Sequence, residues 1–135
     1  MVAAALLTAC AKERSPIDTV KHFHSLAKSE RWEEALPMVD LDSKCVAMFG
    51  ELYRAGAGEE QSRTRTILGE RLKKSTQLFL DKFFGDKDGT FSATTTSDTT
   101  AEVTQTIGTF SLIYVLEKGK EWRIVDRTHE RDGVR

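Results

Sequence analysis

Apolar and aromatic residues recur at helical spacing near the start of the chain. Between residues 16 and 28 they lie three or four positions apart and would form one stripe of a helix, composed of Ile17, Val20, Phe23, His24 and Ala27. Ser15 is a favourable helix cap, Pro16 suits the first turn, and Asp18 completes a capping box. The pattern predicts a helix that begins after Ser15 and packs one face against a core.

Three more helices are predicted before residue 85. A short one covers residues 31–36 and ends at Pro37, which cannot continue a helix. A third is capped by Asp42 and ends at the glycine-rich residues 56–58. The longest covers residues 59–84 and turns one row of side chains inward, namely Leu68, Leu72, Ser75, Phe79 and Phe83.

From Thr90 onward the pattern changes to a period of two. Eight threonines occur between Thr90 and Thr106, and branching at Cβ favours extended chain. We expect strands at residues 90–96, 101–107, 109–117 and 121–128, and their short links predict antiparallel pairing. The two threonine-rich strands are expected at a sheet edge with one face in solvent. The third strand is apolar on both faces and is expected to be central.

Helices followed by a strand meander predict an α+β fold. The N-terminal helices would pack on one face of a curved antiparallel sheet of three to four strands, which gives a cone-like shape. A chain of 135 residues is long enough for one core. We assign the domain to residues 16–128 and a polar tail to residues 129–135.

Composition and charge exclude some classes of partner. A hydrophobic content of 39% and a charged content of 30% are typical of a soluble domain. The formal net charge of −1 argues against nucleic acid, which favours a strongly basic surface. A local basic excess on the longest helix is expected to be a solvated face, and it consists of Arg63, Arg65, Arg71, Lys73 and Lys74.

The N-terminal segment resembles a targeting signal. An apolar run too short to span a membrane ends in Leu7-Thr8-Ala9-Cys10, which resembles the lipobox of secreted bacterial lipoproteins. The resemblance implies a truncated signal segment at residues 1–9, a lipid on Cys10 that anchors the chain to a membrane, and a tether at residues 10–15. It places the domain on the periplasmic side of the envelope, and Ala11 favours the outer membrane. The alternative is an unprocessed cytoplasmic N-terminus.

The second cysteine lies in an apolar stretch of the third helix. Cys45 has no cation or histidine nearby in sequence, so we interpret it as a small buried hydrophobe rather than a reactive nucleophile. A disulfide between Cys10 and Cys45 is expected only if Cys10 is not lipidated.

Two regions of the chain resemble one family of domains. The first region is an apolar helix at residues 15–24, then a turn and Glu-Arg-Trp-Glu-Glu-Ala-Leu at residues 30–36. It is similar to the opening of nuclear-transport-factor-two-like domains, especially in bacterial lipoproteins of unknown function or of the lumazine-binding type. Residues 99–104 and 116–126, with Gly-Lys-Glu-Trp-Arg-Ile, are similar to that family's last strands. The resemblance implies a cone with a cavity between helices and sheet, and no particular activity.

Enzymes among these cone-shaped domains place an aspartate or an Asp-His pair in the cavity as a general base. The resemblance makes Asp40, Asp126 and His24 the candidates here. Asp126 shares strand parity with Trp122 and Ile124 and would point inward if those two face the helices. The alternative is an exposed aspartate near the end of the chain, and no residue is assigned a catalytic role.

Other chemical motifs are lacking in the sequence. His22 and His24 project to different sides of a helix, and His129 falls in the polar tail, so no metal site is assigned. Residues 86–89 lack the spacing of a calcium loop and are read as a turn. No nucleophile elbow, phosphate-binding loop or dinucleotide fingerprint occurs, and no cofactor is assigned.

These observations favour a non-enzymatic, membrane-anchored lipoprotein that binds a small apolar ligand or another envelope protein. The alternatives are a cone-type enzyme that transfers protons with a buried carboxylate, and a structural envelope component. A deep pocket would favour ligand binding, whereas a cone filled by side chains would favour scaffolding. The expected lining residues are Phe23, His24, Trp32, Tyr53, Phe79, Tyr114 and Trp122.

Overall fold

The computed structural model describes residues 14–131 and has the predicted α+β architecture. The predicted signal segment, Cys10, most of the tether and residues 132–135 lie outside the described residues. The helices are α1 (Pro16–Lys28), α2 (Trp32–Ala35), a 3₁₀ turn (Leu36–Met38), α3 (Leu41–Phe49), α4 (Glu51–Arg54) and α5 (Gly58–Phe79), which continues into a π-helical turn (Leu80–Phe84). Four strands follow: β1 (Thr90–Ser97), β2 (Thr100–Ile107), β3 (Phe110–Lys118) and β4 (Trp122–Arg131). Over residues 14–131, no helix has the length and apolar character needed to cross a membrane.

Helix α1 begins as its sequence predicts. The Ser15 hydroxyl accepts a hydrogen bond from the Asp18 backbone N–H at 3.0 Å, and Pro16 occupies the first turn. The buried face of α1 contains Val20, Phe23, His24 and Ala27, so the predicted stripe is confirmed.

The next helices differ from the prediction at their ends. Helix α3 is capped by Asp40, whose carboxylate accepts from the Ser43 N–H at 3.0 Å, and not by Asp42. Gly50 adopts a φ of 55° and divides the expected third helix into α3 and α4. Such a left-handed conformation ends a helix and suits glycine.

The four strands form an antiparallel sheet in the order β1-β2-β3-β4. Strand β1 is an edge strand and most of its residues are exposed, as expected for a threonine-rich strand. The expected edge position is wrong for β2, which pairs with both β1 and β3, but β2 does bury alternate residues on one face only. Strand β3 is central, as predicted, and buries Phe110, Leu112, Tyr114 and Leu116 on its inner face.

Strand β4 contains a β-bulge that reverses its inward and outward positions. Ile124 pairs with Leu116, whereas Asp126 pairs with Val115, so Val125 is an extra residue. Because side chains alternate along a strand, the bulge moves the inward positions from even to odd numbers, and Arg127 lies opposite Tyr114. The strand continues to Arg131, three residues beyond its expected end, and Arg131 pairs with Phe110 at the start of β3.

The space between α1 and the sheet is filled by aromatic side chains. The Phe23 ring meets the rings of Trp32 and Tyr114 edge to face, with 6.4 Å between centroids in both pairs. These contacts belong to the main hydrophobic core, which includes α1, β2, β3 and Ile124 of β4.

Candidate functional site

A cleft of about 320 Å³ opens between α3, α5 and β4. Its volume lies at the small end of the range found for ligand pockets. Most of its wall is apolar and is formed by Val39, Leu41, Met48, Leu68, Leu72, Ile124 and Val125. Val125 borders the cleft at the bulge of β4, so the strand irregularity helps to shape the wall.

Part of this wall is fixed by backbone contacts. Val39 forms an isolated parallel bridge with Ile124, and the Asp40 N–H donates to the Ile124 carbonyl at 2.8 Å. The Arg123 guanidinium also donates to the Val39 carbonyl at 3.1 Å. The segment between the 3₁₀ turn and α3 is therefore attached to the edge of the sheet.

Two residues of the cleft lining form an ion pair. Lys44 Nζ lies 2.5 Å from Asp126 Oδ1. Burial acts to raise the pKa of Asp126, but the bond from Lys44 and the Arg127 backbone N–H hold it below its ordinary value. Asp126 is therefore ionised at neutral pH. The bulge places it opposite Val115 with 43% of its side chain exposed, which agrees with the alternative of an exposed aspartate.

Arg127 takes the inward position instead. Its guanidinium donates to the hydroxyls of Thr76 at 2.7 Å and Ser75 at 2.8 Å, and it lies 5.1 Å from the centroid of the Phe79 ring and 5.9 Å from that of Tyr114. Among residues 14–131, no carboxylate lies within ion-pair distance of this partly buried cation. The charge is therefore held by neutral groups and aromatic faces.

A second polar cluster surrounds His24 under the turn before β1. Gln105 is fully buried, and its amide nitrogen lies 2.9 Å from His24 Nδ1 and 2.9 Å from the Asp88 carbonyl oxygen. Its amide oxygen accepts from the Tyr114 hydroxyl at 3.1 Å. Since the amide nitrogen is a donor, His24 Nδ1 accepts, and the ring proton lies on Nε2.

The remaining ring nitrogen of His24 faces Asp88. The distance from Nε2 to Asp88 Oδ1 is 3.3 Å, and Lys28 Nζ lies 2.9 Å from the same oxygen. Burial lowers the pKa of His24 and outweighs the opposite effect of Asp88, so the ring is neutral at pH 7. His24 Nε2 is buried and forms no hydrogen bond of good geometry, so its contact with Asp88 is one of proximity. The cluster links α1 to β2 and to the turn that precedes β1.

The third candidate base, Asp40, caps the N-terminus of α3 with its carboxylate. Burial acts to raise the pKa of Asp40, but hydrogen bonds from the Ser43 backbone and side chain, with help from Arg123, keep it below its ordinary value. A carboxylate with a lowered pKa does not match the raised pKa that general-base catalysis at neutral pH favours.

Five of the seven expected cavity residues, Trp32 among them, belong to the main hydrophobic core or pack against it. Phe23 and Tyr114 are fully buried in the core, while Phe79 and Trp122 pack against it. His24 and Trp32 are buried and each borders a different surface depression, and Tyr53 belongs to a small second cluster with Cys45 and Leu68. The cleft has none of the seven in its lining.

Cys45 is a free thiol with no exposed surface. Burial, with a contribution from Asp42, raises the pKa of this thiol, which matches its interpretation as a small buried hydrophobe. Beside it, the Tyr53 hydroxyl donates to Asp42 and accepts from Arg65 at 2.7 Å. Cys10 lies outside the described residues, so a disulfide between Cys10 and Cys45 stays a prediction.

The fold and the cleft define an α+β domain with a mainly apolar recess that also contains charged side chains. Within the described part of the chain, no three or more His, Cys, Asp or Glu side chains are grouped so that they could hold a metal ion. Comparisons with protein-family models, with curated proteins and with solved structures found no match. The case for a function therefore depends on the geometry of the site.

Proposed function

We propose that this domain is a binding module that holds a small apolar ligand in the cleft between α3, α5 and β4. The observation that carries the proposal is a recess of about 320 Å³ with mainly apolar walls. The bridge between Val39 and Ile124 fixes one wall before any ligand binds, which reduces the entropy lost on binding. The side chains that fill the cone interior act as core, and the recess lies beside them.

Ligand binding suits this geometry better than proton transfer. Asp40 and Asp126 both have lowered pKa values, and each is held by a neighbouring donor. His24 directs its two ring nitrogens at Gln105 and Asp88. The enzyme alternative requires a base that can reach a substrate, and these contacts favour a structural function for all three groups.

Met48→Trp is expected to weaken ligand binding about tenfold. Met48 lines the cleft and is half exposed, so an indole at this position would occupy ligand space with little effect on the core. Excluding two methylene groups at about 0.8 kcal/mol each corresponds to roughly a tenfold loss of affinity. The measurement is titration calorimetry with 1-decanol.

Ile67→Trp is the matched control for this experiment. Ile67 is half exposed on α5 and lies outside the lining of the cleft, so its variant should bind decanol like the original protein. Two results would contradict the proposal: no saturable decanol binding by the original protein, or equal binding by the Met48 and Ile67 variants.

We also propose that a lipid on Cys10 anchors the domain to the periplasmic side of the bacterial envelope, with the outer membrane favoured. The support is the segment Leu7-Thr8-Ala9-Cys10. In the native host, Cys10→Ser should move the protein from the membrane fraction to the soluble fraction and remove the acyl mass from the intact protein. Cys45→Ala should leave the protein in the membrane fraction with its acyl mass. An unmodified Cys10 in the original protein would refute the anchor.

A further inference from the structure

The cleft carries more positive than negative charge. Lys44, Arg71 and Arg127 line it together with a single carboxylate, that of Asp126. Asp126 pairs with Lys44 at 2.5 Å, so the charges of Arg71 and Arg127 are left uncompensated within the lining. An apolar recess with two guanidinium groups that no carboxylate of its lining neutralises is electrostatically complementary to an anion.

Arg127 differs from the other partly buried arginines in the described chain. Arg65 lies 3.6 Å from the Asp42 carboxylate and Arg123 lies 3.8 Å from that of Asp40. Arg127 has hydroxyls and ring faces in place of a carboxylate. An anion in the cleft would give Arg127 the opposite charge that Arg65 and Arg123 already have within the protein.

The donors of Arg127 are only partly used. Its bonds to Thr76 and Ser75 employ one N–H on each terminal nitrogen, and Tyr114 also accepts from the guanidinium, which has five N–H groups in all. The remaining groups can donate to a carboxylate, which matches the planar geometry of arginine. The hydroxyls of Ser75 and Thr76 hold the guanidinium in position before binding.

We propose that the cleft selects amphiphilic carboxylates. The apolar body would lie against Leu72, Val39 and Val125, and the carboxylate would meet Arg127, with Arg71 adding charge at the exposed side. This inference depends on the proposed function, because it names the class of ligand for the same cleft. The bulge of β4 is its structural origin, since it turns Arg127 inward.

The test compares three probes that share one chain length: decanoate, 1-decanol and decyltrimethylammonium, each below its micellar concentration. We expect the original protein to bind decanoate at least ten times more tightly than decanol, and the cation more weakly than either. Arg127→Gln should reduce the preference for decanoate over decanol to less than threefold. Calorimetry measures the affinity of each variant for all three probes.

Arg131→Gln is the matched control. Arg131 lies on the same strand, over the Phe83 ring and outside the lining of the cleft, so its variant should keep the full preference. Arg71→Gln, on an exposed side chain, should lower the preference about threefold and keeps the test valid if the Arg127 variant does not fold. Equal binding of decanoate and decanol by the original protein would overturn the inference while sparing the proposed function. Binding of none of the probes would overturn both.

Discussion

Gln105→Leu is expected to lower the free energy of unfolding by about 3 kcal/mol, since buried polar groups that lose their partner cost about 1–3 kcal/mol each. The substitution keeps the approximate volume but removes the partners of the Tyr114 hydroxyl, His24 Nδ1 and the Asp88 carbonyl. The first two groups are buried, so water cannot easily replace the amide. Urea denaturation monitored by circular dichroism measures the change.

A double-mutant cycle with Tyr114→Phe tests the reason for this loss. Because the phenylalanine variant removes a hydroxyl that Gln105→Leu would leave unpaired, the double variant should be less destabilised than the sum of the single variants. Gln77→Leu, at a partly exposed glutamine on α5, should change stability by no more than about 0.5 kcal/mol. A Gln105 variant as stable as the original protein would show that the cluster does not stabilise the fold.

The parts of the fold that depend on local signals were predictable. Ser15 and Pro16 determine where α1 begins, because capping and a fixed φ act within one turn of helix. The period of two after Thr90, with short links, predicted the antiparallel meander and its central strand β3. In each case the side chain and its effect lie within a few residues.

The features that define the cleft depend on contacts between distant residues. Strand parity left Asp126 either inward or exposed, and the extra residue Val125 gives the inward position to Arg127. The bulge in β4 has no local sequence signature such as a glycine, so its position could not be predicted from the sequence. The lining also combines Val39 and Met48 with β4, and these segments meet only through tertiary packing.

The aromatic residues expected to line a cavity also depend on contacts that the sequence pattern does not contain. A helical stripe identifies the buried face of α1, but it cannot tell whether the facing space is empty or filled. In the structure, Phe23 and Tyr114 meet edge to face and fill it. The link between His24 and Asp88 was also missed, because residues 86–89 read as a turn and nothing local places that turn under α1.

Gly89→Ala is expected to destabilise the protein by about 3 kcal/mol, the sum of left-handed backbone strain and overpacking. Gly89 has a φ of 73°, and a Cβ atom there would overlap the Thr106 carbonyl oxygen of β2. The neighbouring residue Thr90 pairs with Thr106, so β1 would have to move away from β2 to relieve the overlap. Thermal and urea denaturation measure the loss.

Gly108→Ala separates the two causes of that loss. Gly108 has a similar φ of 59°, but a Cβ atom there meets nothing within 4 Å, so only the strain of about 1–2 kcal/mol applies. The difference between the stability losses of the two variants measures how closely the turn approaches β2. The same approach places Asp88 beside His24. If both variants lose the same stability, the turn does not pack against β2 as the structure shows, and the environment of His24 would need a different explanation.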